Sequence, residues 1–302
     1  MSEVHSGETR CGMVALIGRP NVGKSTLLNR LLGQKLSITS SKPQTTRHRI
    51  LGVVTEGQCQ AVYVDTPGIH AGQRRALNRY LNRTAAGALD GVDLALFMVE
   101  GERWTDEDEH VLGLVQRAGV PTLCVVNKVD RVRPRERLLP VLEQLAARAP
   151  FVDLVPLSAR SGENVESLQR RVDRLLPAGA HLFDEDAVTD RSLRFLCAEI
   201  LREKLMRNLA QELPYSCSVE IETFEETPEH THIGALVWVE RASHKGIVIG
   251  RQGVRMREMA SAARQDMERL LQRQVFLEVW VKVKSGWTDD ELSLRTLGYD
   301  GR

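Results

Sequence analysis

Through the first ~180 residues, short apolar runs alternate with helical repeats, the order of a parallel α/β domain. Residues 13–17 form an apolar strand that runs into a glycine-rich loop. Leu27, Leu28, Leu31 and Leu32 then recur at helical spacing, which predicts a helix over 25–32 that stops at Gly33. Strands are expected at 48–56 and 59–65, and the Gly57-Gln58 turn between them predicts a hairpin, hence one antiparallel strand in the sheet. Further strands read at 94–99, 122–126 and 153–157. The expected sheet therefore has six strands, mixed but mostly parallel. Thr105 with Asp108 three residues on predicts a capped start for a helix reaching Ala118. A last helix over 164–176 closes at Pro177.

The stretch after Pro177 carries Gly, Pro and acidic residues without a period, and it reads as a linker. Beyond it the order changes to helix, strand, strand, helix, helix, strand. A helix is expected over 192–209, alternating strands over 217–224 and 232–240, and a short helix over 245–249 that breaks at Gly250. Met256, Met259, Ala263, Met267 and Leu270 share one face of a helix over 254–271, and 275–284 alternates apolar with charged residues. The expected organisation is a first domain over 1–178, a linker over 179–191 and an α+β second domain over 192–302.

Composition changes this picture little. At 302 residues the chain suits two domains, and 42% hydrophobic with 27% charged residues is ordinary for a globular protein. The five cysteines (11, 59, 124, 197 and 217) form no C-x-x-C pair, which favours a reduced, cytosolic protein over a disulfide framework or a zinc site. Glu3, His5, Glu8 and Arg10 stand where a signal peptide would need an apolar run, so no targeting segment is expected. The apolar run at 92–99 is too short to cross a bilayer. The net charge of +1 hides an asymmetry: residues 241–284 hold ten Lys/Arg against four Asp/Glu.

The first domain carries phosphate chemistry. Gly18-Arg19-Pro20-Asn21-Val22-Gly23-Lys24-Ser25, followed by Thr26, fits G-x-x-x-x-G-K-S between a strand and a helix. In that setting backbone N–H groups converge on phosphate oxygens, Lys24 reaches the β- and γ-phosphates, and the Ser25 hydroxyl ligates Mg²⁺. Asp65-Thr66-Pro67-Gly68 ends the third strand; its carboxylate is expected to hold Mg²⁺ through water and the Gly68 N–H to sense the γ-phosphate. Asn127-Lys128-Val129-Asp130 follows the fifth strand. The Asp130 carboxylate can accept two bonds from the N1–H and exocyclic amine of guanine, which adenine does not offer there. Ser158-Ala159 after the sixth strand could present an N–H to the guanine carbonyl.

In the second half, Gly250-Arg251-Gln252-Gly253 lies between two helices, where a glycine at each end allows close backbone approach to a phosphate. Within the helix–strand–strand–helix–G-x-x-G–helix–strand order this predicts a clamp for single-stranded RNA. Lys245, Ile249, Gly250, Arg251, Gln252, Gly253 and Arg255 are its candidate contacts. His230 and His232 in an acidic stretch read as a hairpin turn rather than a metal site. Trp238 and Trp280 read as core or sheet-face residues, with base stacking by them or by Trp287 the alternative.

The nucleotide motifs, in this order, resemble the translation-factor-related class of small GTPases. By that resemblance the loop Gln44-Thr45-Thr46-Arg47-His48 is the first switch, and Thr46 (or Thr45) supplies a second Mg²⁺ oxygen. Ile69 stands where Ras-like members carry a water-orienting Gln, which implies slow intrinsic hydrolysis. Asn21 with the Thr-Thr switch resembles GTPases in which K⁺ replaces an arginine finger, and implies K⁺ stimulation. Arg47 and His70 compete for that role but read as solvated loop residues. Asn21, Lys24, Thr46, Asp65 and Gly68 are the implied catalytic set.

A P-loop GTPase domain followed by a type II KH domain resembles the Era family of bacterial GTPases over essentially the whole chain. The likeness is carried by 18–25, 44–49, 63–68, 212–216 and 281–287. It implies binding near the 3′ end of 16S ribosomal RNA and a role in 30S assembly, coupled to cell growth and division. It also implies a monomer without DNA binding, cytoplasmic with a peripheral fraction on the inner membrane. Two other readings compete: a membrane-linked signalling GTPase whose basic domain binds lipid or protein, and a passive RNA-binding factor with a poorly hydrolysing site.

Overall fold

The computed structural model describes residues 8–69, 75–101 and 103–299. The candidate His70 and the amino-terminal Glu3 and His5 lie outside them. The chain divides into two compact units. One takes residues 1–37, 46–72 and 81–190; the other takes 38–45, 73–80 and 191–302.

The first unit is built on six strands: β1 (Arg10–Ile17), β2 (Ile50–Glu56), β3 (Cys59–Asp65), β4 (Leu94–Glu100), β5 (Thr122–Asn127) and β6 (Asp153–Pro156). Their order in the sheet is β2-β3-β1-β4-β5-β6, and only the β2–β3 pair is antiparallel. The hairpin expected at Gly57 is present, with φ 58° at that glycine. β1, β4 and β5 are almost wholly buried, as strands covered on both faces by helices must be. On one face Ala15, Ile17, Phe97, Val99 and Val126 pack against α3 (Asp106–Ala118) and α4 (Leu138–Ala146). α1 (Lys24–Leu31) and α5 (Val165–Leu175) pack against each other and against β3.

Register places the chemistry. Leu16 pairs with Asp65, and Phe97 pairs with Ile17, so the C-terminal ends of β3, β1, β4 and β5 lie side by side. Ligands of open α/β sheets bind beyond such ends. The capping box predicted for α3 is complete: the Thr105 side chain accepts from Asp108 N–H, and Asp108 accepts from Thr105 N–H. Such a cap contributes about 1 kcal/mol. Residues 178–190 form no helix or strand. Their backbone meets the first unit through Gly179 N–H to Thr9, Val53 N–H to Val188 and the Gln60 side chain, which bonds Phe183.

The second unit has the three-stranded sheet β7 (Cys217–Glu226), β8 (His230–Val239) and β9 (Gln274–Val283) in that order. β8 is antiparallel to β7 and parallel to β9. α6 (Leu193–Asn208) and α8 (Val254–Leu271) cover one face through Leu201, Leu205, Met259, Ala263 and Met267. α7 (Ala242–Ile249) precedes the Gly250–Gly253 turn. Neither α2 (Ala76–Gly87) nor α9 (Glu291–Thr296) has a counterpart in the sequence pattern. Trp287, just before α9, is fully buried and donates its indole N–H to Ser216 O at 3.2 Å, which removes it as a base-stacking candidate.

Candidate functional site

The glycine loop is held in shape by its own backbone and by neighbouring strand ends. Gly23 sits at φ 108°, and a Cβ there would meet Asn127 Nδ2 at 2.3 Å. A Cβ on Gly18 would meet Met98 O at 2.5 Å. Both glycines are therefore required for close approach. Lys24 is 5% exposed and donates to Gly18 O at 2.9 Å and Arg19 O at 3.1 Å. Burial outweighs the attraction of Asp65 and pulls the Lys24 pKa down to about 8. An ammonium held in that state gains strongly from a phosphate anion.

Three oxygen donors converge next to it. The Ser25 hydroxyl donates to Asp65 Oδ2 at 2.7 Å and lies 2.8 Å from Thr46 Oγ1. Asp65 is fully buried, and burial raises its pKa against the lowering influence of Ser25 and Lys24. Its Oδ1 is buried, and the Ser37 hydroxyl beside it falls outside hydrogen-bond geometry. A half-satisfied buried carboxylate with two hydroxyls is a hard-oxygen donor set that fits Mg²⁺. Of the two threonines, Thr46 joins this cluster. Thr45 belongs to the second unit, where its carbonyl accepts from Arg202 Nη2. Gln44 belongs there too, bonded to Asn78 at 3.1 Å.

Thr66 donates to Leu16 O at 2.9 Å, and Pro67 is buried. Gly68 lies against the glycine loop so closely that a Cβ would meet Pro20 Cα and N at 2.7 Å. Ile69 is 2% exposed within the apolar cluster of β1 and β4, so its side chain has no part in orienting water. Arg47 corrects an expectation: it is fully buried rather than solvated, because it is drawn into the protein with partners, as a buried guanidinium requires.

Asn127 joins three loops. Its Nδ2 donates to Val22 O at 2.7 Å, and its Oδ1 accepts from Lys128 N–H at 2.7 Å and Ala159 N–H at 2.9 Å. Lys128, at φ 65°, reaches Asn21 O at 2.7 Å. Asp130 stands half-buried on the 3-10 turn Val129–Arg131. Ser158 N–H is used by Glu163 O, so an N–H for the guanine carbonyl would come from Ala159 sharing its bond with Asn127. The Arg19 side chain turns to Glu100 and Asp108, away from the loop's own backbone N–H groups.

In the second unit, Gly250, Gln252 and Gly253 all have positive φ, at 76°, 50° and 74°. A Cβ on Gly250 would meet Arg255 Cβ at 2.7 Å, whereas Gly253 faces open space. Arg251 and Gln252 are exposed, and Arg255 donates to Ile247 O at 2.9 Å. Beside this turn runs an open groove of about 620 Å³, walled by Ile249, Met256, Leu277, Val279 and Trp280 with Lys245, Arg257 and Lys282 among its charged residues. Trp280 is 46% exposed on β9. Sequence reading left Arg257 and Met256 out of the groove. The signal was available, since both follow the G-x-x-G turn by one helical turn. His232 pairs with Glu278 at 2.9 Å, and the described residues contain no cluster fit for a metal ion.

A glycine loop beside a buried lysine, a Ser–Thr–Asp oxygen cluster and an Asn-Lys-x-Asp loop tied to it, on a chain that also carries a G-x-x-G groove, mark a P-loop GTPase with a KH RNA-binding domain. The profile of the 50S ribosome-binding GTPase family matches residues 13–128, and that of the KH domain matches 212–288. The GTPase Era of Pseudomonas aeruginosa is 53% identical over 302 residues, 99% of each chain. That of Pseudomonas savastanoi pv. phaseolicola is 54% identical over 291 residues, 96% of this chain and 97% of its own. The crystal structure of Era with MgGDPNP and nucleotides 1506–1542 of 16S ribosomal RNA superposes with a TM-score of 0.93 at 38% identity, covering 96% of this chain and 99% of that one. An Aquifex aeolicus Era variant bound to GDP·AlF4⁻ gives the same values. The chain belongs to the Era family of GTPases.

Proposed function

We propose that this protein is a GTP-hydrolysing switch that binds 16S ribosomal RNA near its 3′ end and acts in small-subunit assembly. The observation that carries the reading is that one chain holds both a glycine loop with Lys24, Ser25, Asp65 and Asn127 gathered at it and a G-x-x-G groove. An Era relative in complex with Mg²⁺, a GTP analogue and that stretch of 16S RNA supports it. The apolar wall and exposed Trp280 beside the turn suit unstacked bases better than lipid headgroups. Crosslinking the RNA bound in cells tests the assignment: recovery of the 16S 3′ end is expected, and recovery of unrelated RNA overturns it.

In the nucleotide site, Lys24 and the loop N–H groups bind and orient the phosphates. Ser25 and Thr46 would hold Mg²⁺ directly and Asp65 through water; the ion, when bound, neutralises charge developing on the phosphates. Gly68 brings its backbone to the glycine loop, where the γ-phosphate would be sensed. With Ile69 in the core, the chain provides no side chain at that position to align water, so intrinsic turnover is slow. We assign stimulation to K⁺ at Asn21, which is exposed at the loop's tip with φ 62°. GTPase rates should be higher in K⁺ than in Na⁺ buffer, and equal rates would remove this part.

The RNA-binding unit includes residues 38–45, the stretch leading into Thr46. This supports a dependence of RNA affinity on the bound nucleotide: with GTP, Thr46 is drawn to the metal and its neighbours are ordered. The described residues contain no helix long and apolar enough to cross a membrane. We assign the protein to the cytoplasm, with a peripheral fraction at the inner membrane.

A further inference from the structure

Two cations from two different ligand loops end on one carboxylate. Glu100 is the last residue of β4, the strand between β1, which leads to the glycine loop, and β5, which leads to the guanine-reading loop. Its Oε2 lies 3.2 Å from Arg19 Nη2 of the glycine loop. Its Oε1 accepts from Lys128 Nζ of the guanine-reading loop. Lys128 in turn donates to Asn21 O at 2.7 Å. Arg19 has a second anchor, Asp108 Oδ2 at 3.1 Å, and Asp108 is fully buried in the capping box of α3. Burial alone would push the Glu100 pKa up, but Lys128 and Arg19 outweigh it and hold the group below the ordinary value. Glu100 is therefore a charged bridge rather than a neutral acid.

The Glu100 carboxylate is itself taken up by these two cations, one on each oxygen. The phosphates are served by backbone N–H groups and Lys24, and the base by Asp130. Left to themselves, Arg19 and Lys128 would be two like charges on neighbouring loops. With Glu100 between them, the repulsion becomes a tie that fixes the spacing of the phosphate and guanine subsites.

We propose that Glu100 is a positioning residue that locks the glycine loop to the guanine-reading loop, so that one nucleotide can engage both. The lock governs how long the nucleotide stays rather than the chemistry of hydrolysis. It also leaves base choice alone, because Asp130 is not a partner of Glu100.

The test is the dissociation of a fluorescent GDP from the full-length protein by stopped flow, with single-turnover GTP hydrolysis measured alongside. Glu100→Gln keeps the shape and removes the charge. It should release GDP about ten- to a hundredfold faster, the scale of charge-assisted bonds lost at a partly buried site. Hydrolysis of already bound GTP should stay within about twofold, the spread expected where no group that touches the reacting atoms is changed. Double-mutant cycles of Glu100→Ala with Arg19→Ala and with Lys128→Ala should both be non-additive. Wild-type release by Glu100→Gln overturns the proposal, as does additivity in either cycle. A loss confined to the hydrolysis step would also overturn it, because a lock on nucleotide residence does not act there. Unchanged KH-dependent RNA binding by Glu100→Gln serves as the folding control. If that variant does not fold, the cycle of Arg19→Ala with Lys128→Ala decides: the two should be non-additive in GDP release because both end on Glu100, and additivity overturns the proposal.

Discussion

The chain contains two glycine-bracketed turns, at 18–25 and 250–253, and they are built in opposite ways. The loop at 18–25 is enclosed: Lys24 is buried, Gly18 and Gly23 are hemmed in by Met98 and Asn127, and Asn127 and Lys128 bind its carbonyls. The turn at 250–253 is open. Arg251 and Gln252 are exposed, Gly253 has nothing within 4 Å of a Cβ, and no side chain caps α8. An enclosed loop with desolvated charge suits one small ligand of fixed geometry and discriminates sharply. An open turn beside an apolar groove suits a polymer whose backbone passes through. The difference is in the surroundings, since both turns place glycine at positive φ.

The contrast can be broken most severely at Lys24. Lys24→Ala removes charge-assisted contacts worth ~1.5–3 kcal/mol each, so GDP affinity should fall by roughly a hundredfold or more, measured by fluorescence titration. RNA binding without nucleotide should survive, because the open turn has its own donors. A parallel loss of both would show that the two turns are not independent devices.

A smaller effect is expected at the open turn. Gly253 has room for a Cβ, so the cost of Gly253→Asp is the positive φ of 74° plus an anion placed against the RNA backbone. RNA affinity should drop roughly tenfold by filter binding, and the effect should shrink in high salt as the electrostatic share is screened. GDP affinity should not move. An unaltered RNA affinity would remove the turn from the interface.

The smallest effect sharpens the buried side of the contrast. Lys24 has its pKa pulled from 10.5 to about 8 in the folded protein. Between those values the unfolded chain binds more protons than the folded one, so stability of the nucleotide-free protein rises with pH through that window. Below about 8 the burial penalty is fully present. Nucleotide phosphate restores the proton, so GDP binding near pH 8 should take up protons, and affinity should weaken by at most tenfold per unit above it. Calorimetry in buffers of different ionisation enthalpy reads the uptake directly. Buffer-independent heats would contradict a depressed Lys24.

What was legible in the sequence follows from how local each feature is. The loop at 18–25 could be read because its glycines, Lys24 and Ser25 are adjacent and flanked by a strand and a helix. Asp65 could be placed beside it because the Asp-Thr-Pro-Gly motif closes an apolar strand that follows the Gly57-Gln58 turn. The groove's order of elements could be read for the same reason. Glu100 and Asp108 could not be linked to the site, since their roles depend on β4 lying between β1 and β5 and on α3 returning toward Arg19. An acid at the C-terminal end of a central strand was the available hint. Burial was the other gap. Trp287 and Arg47 are surface-compatible by type, yet both are fully buried, and only packing decides that. Ile69 shows the reverse case: an apolar side chain where a polar one would be needed to align water is legible from its type alone.

The central claim is that the nucleotide in the enclosed loop controls the open one. It is tested most directly by the RNA affinity of the wild-type protein loaded with a non-hydrolysable GTP analogue and with GDP, using a 16S 3′-end oligonucleotide. The account predicts tighter binding in the GTP-analogue state. Equal affinities in the two states would contradict it.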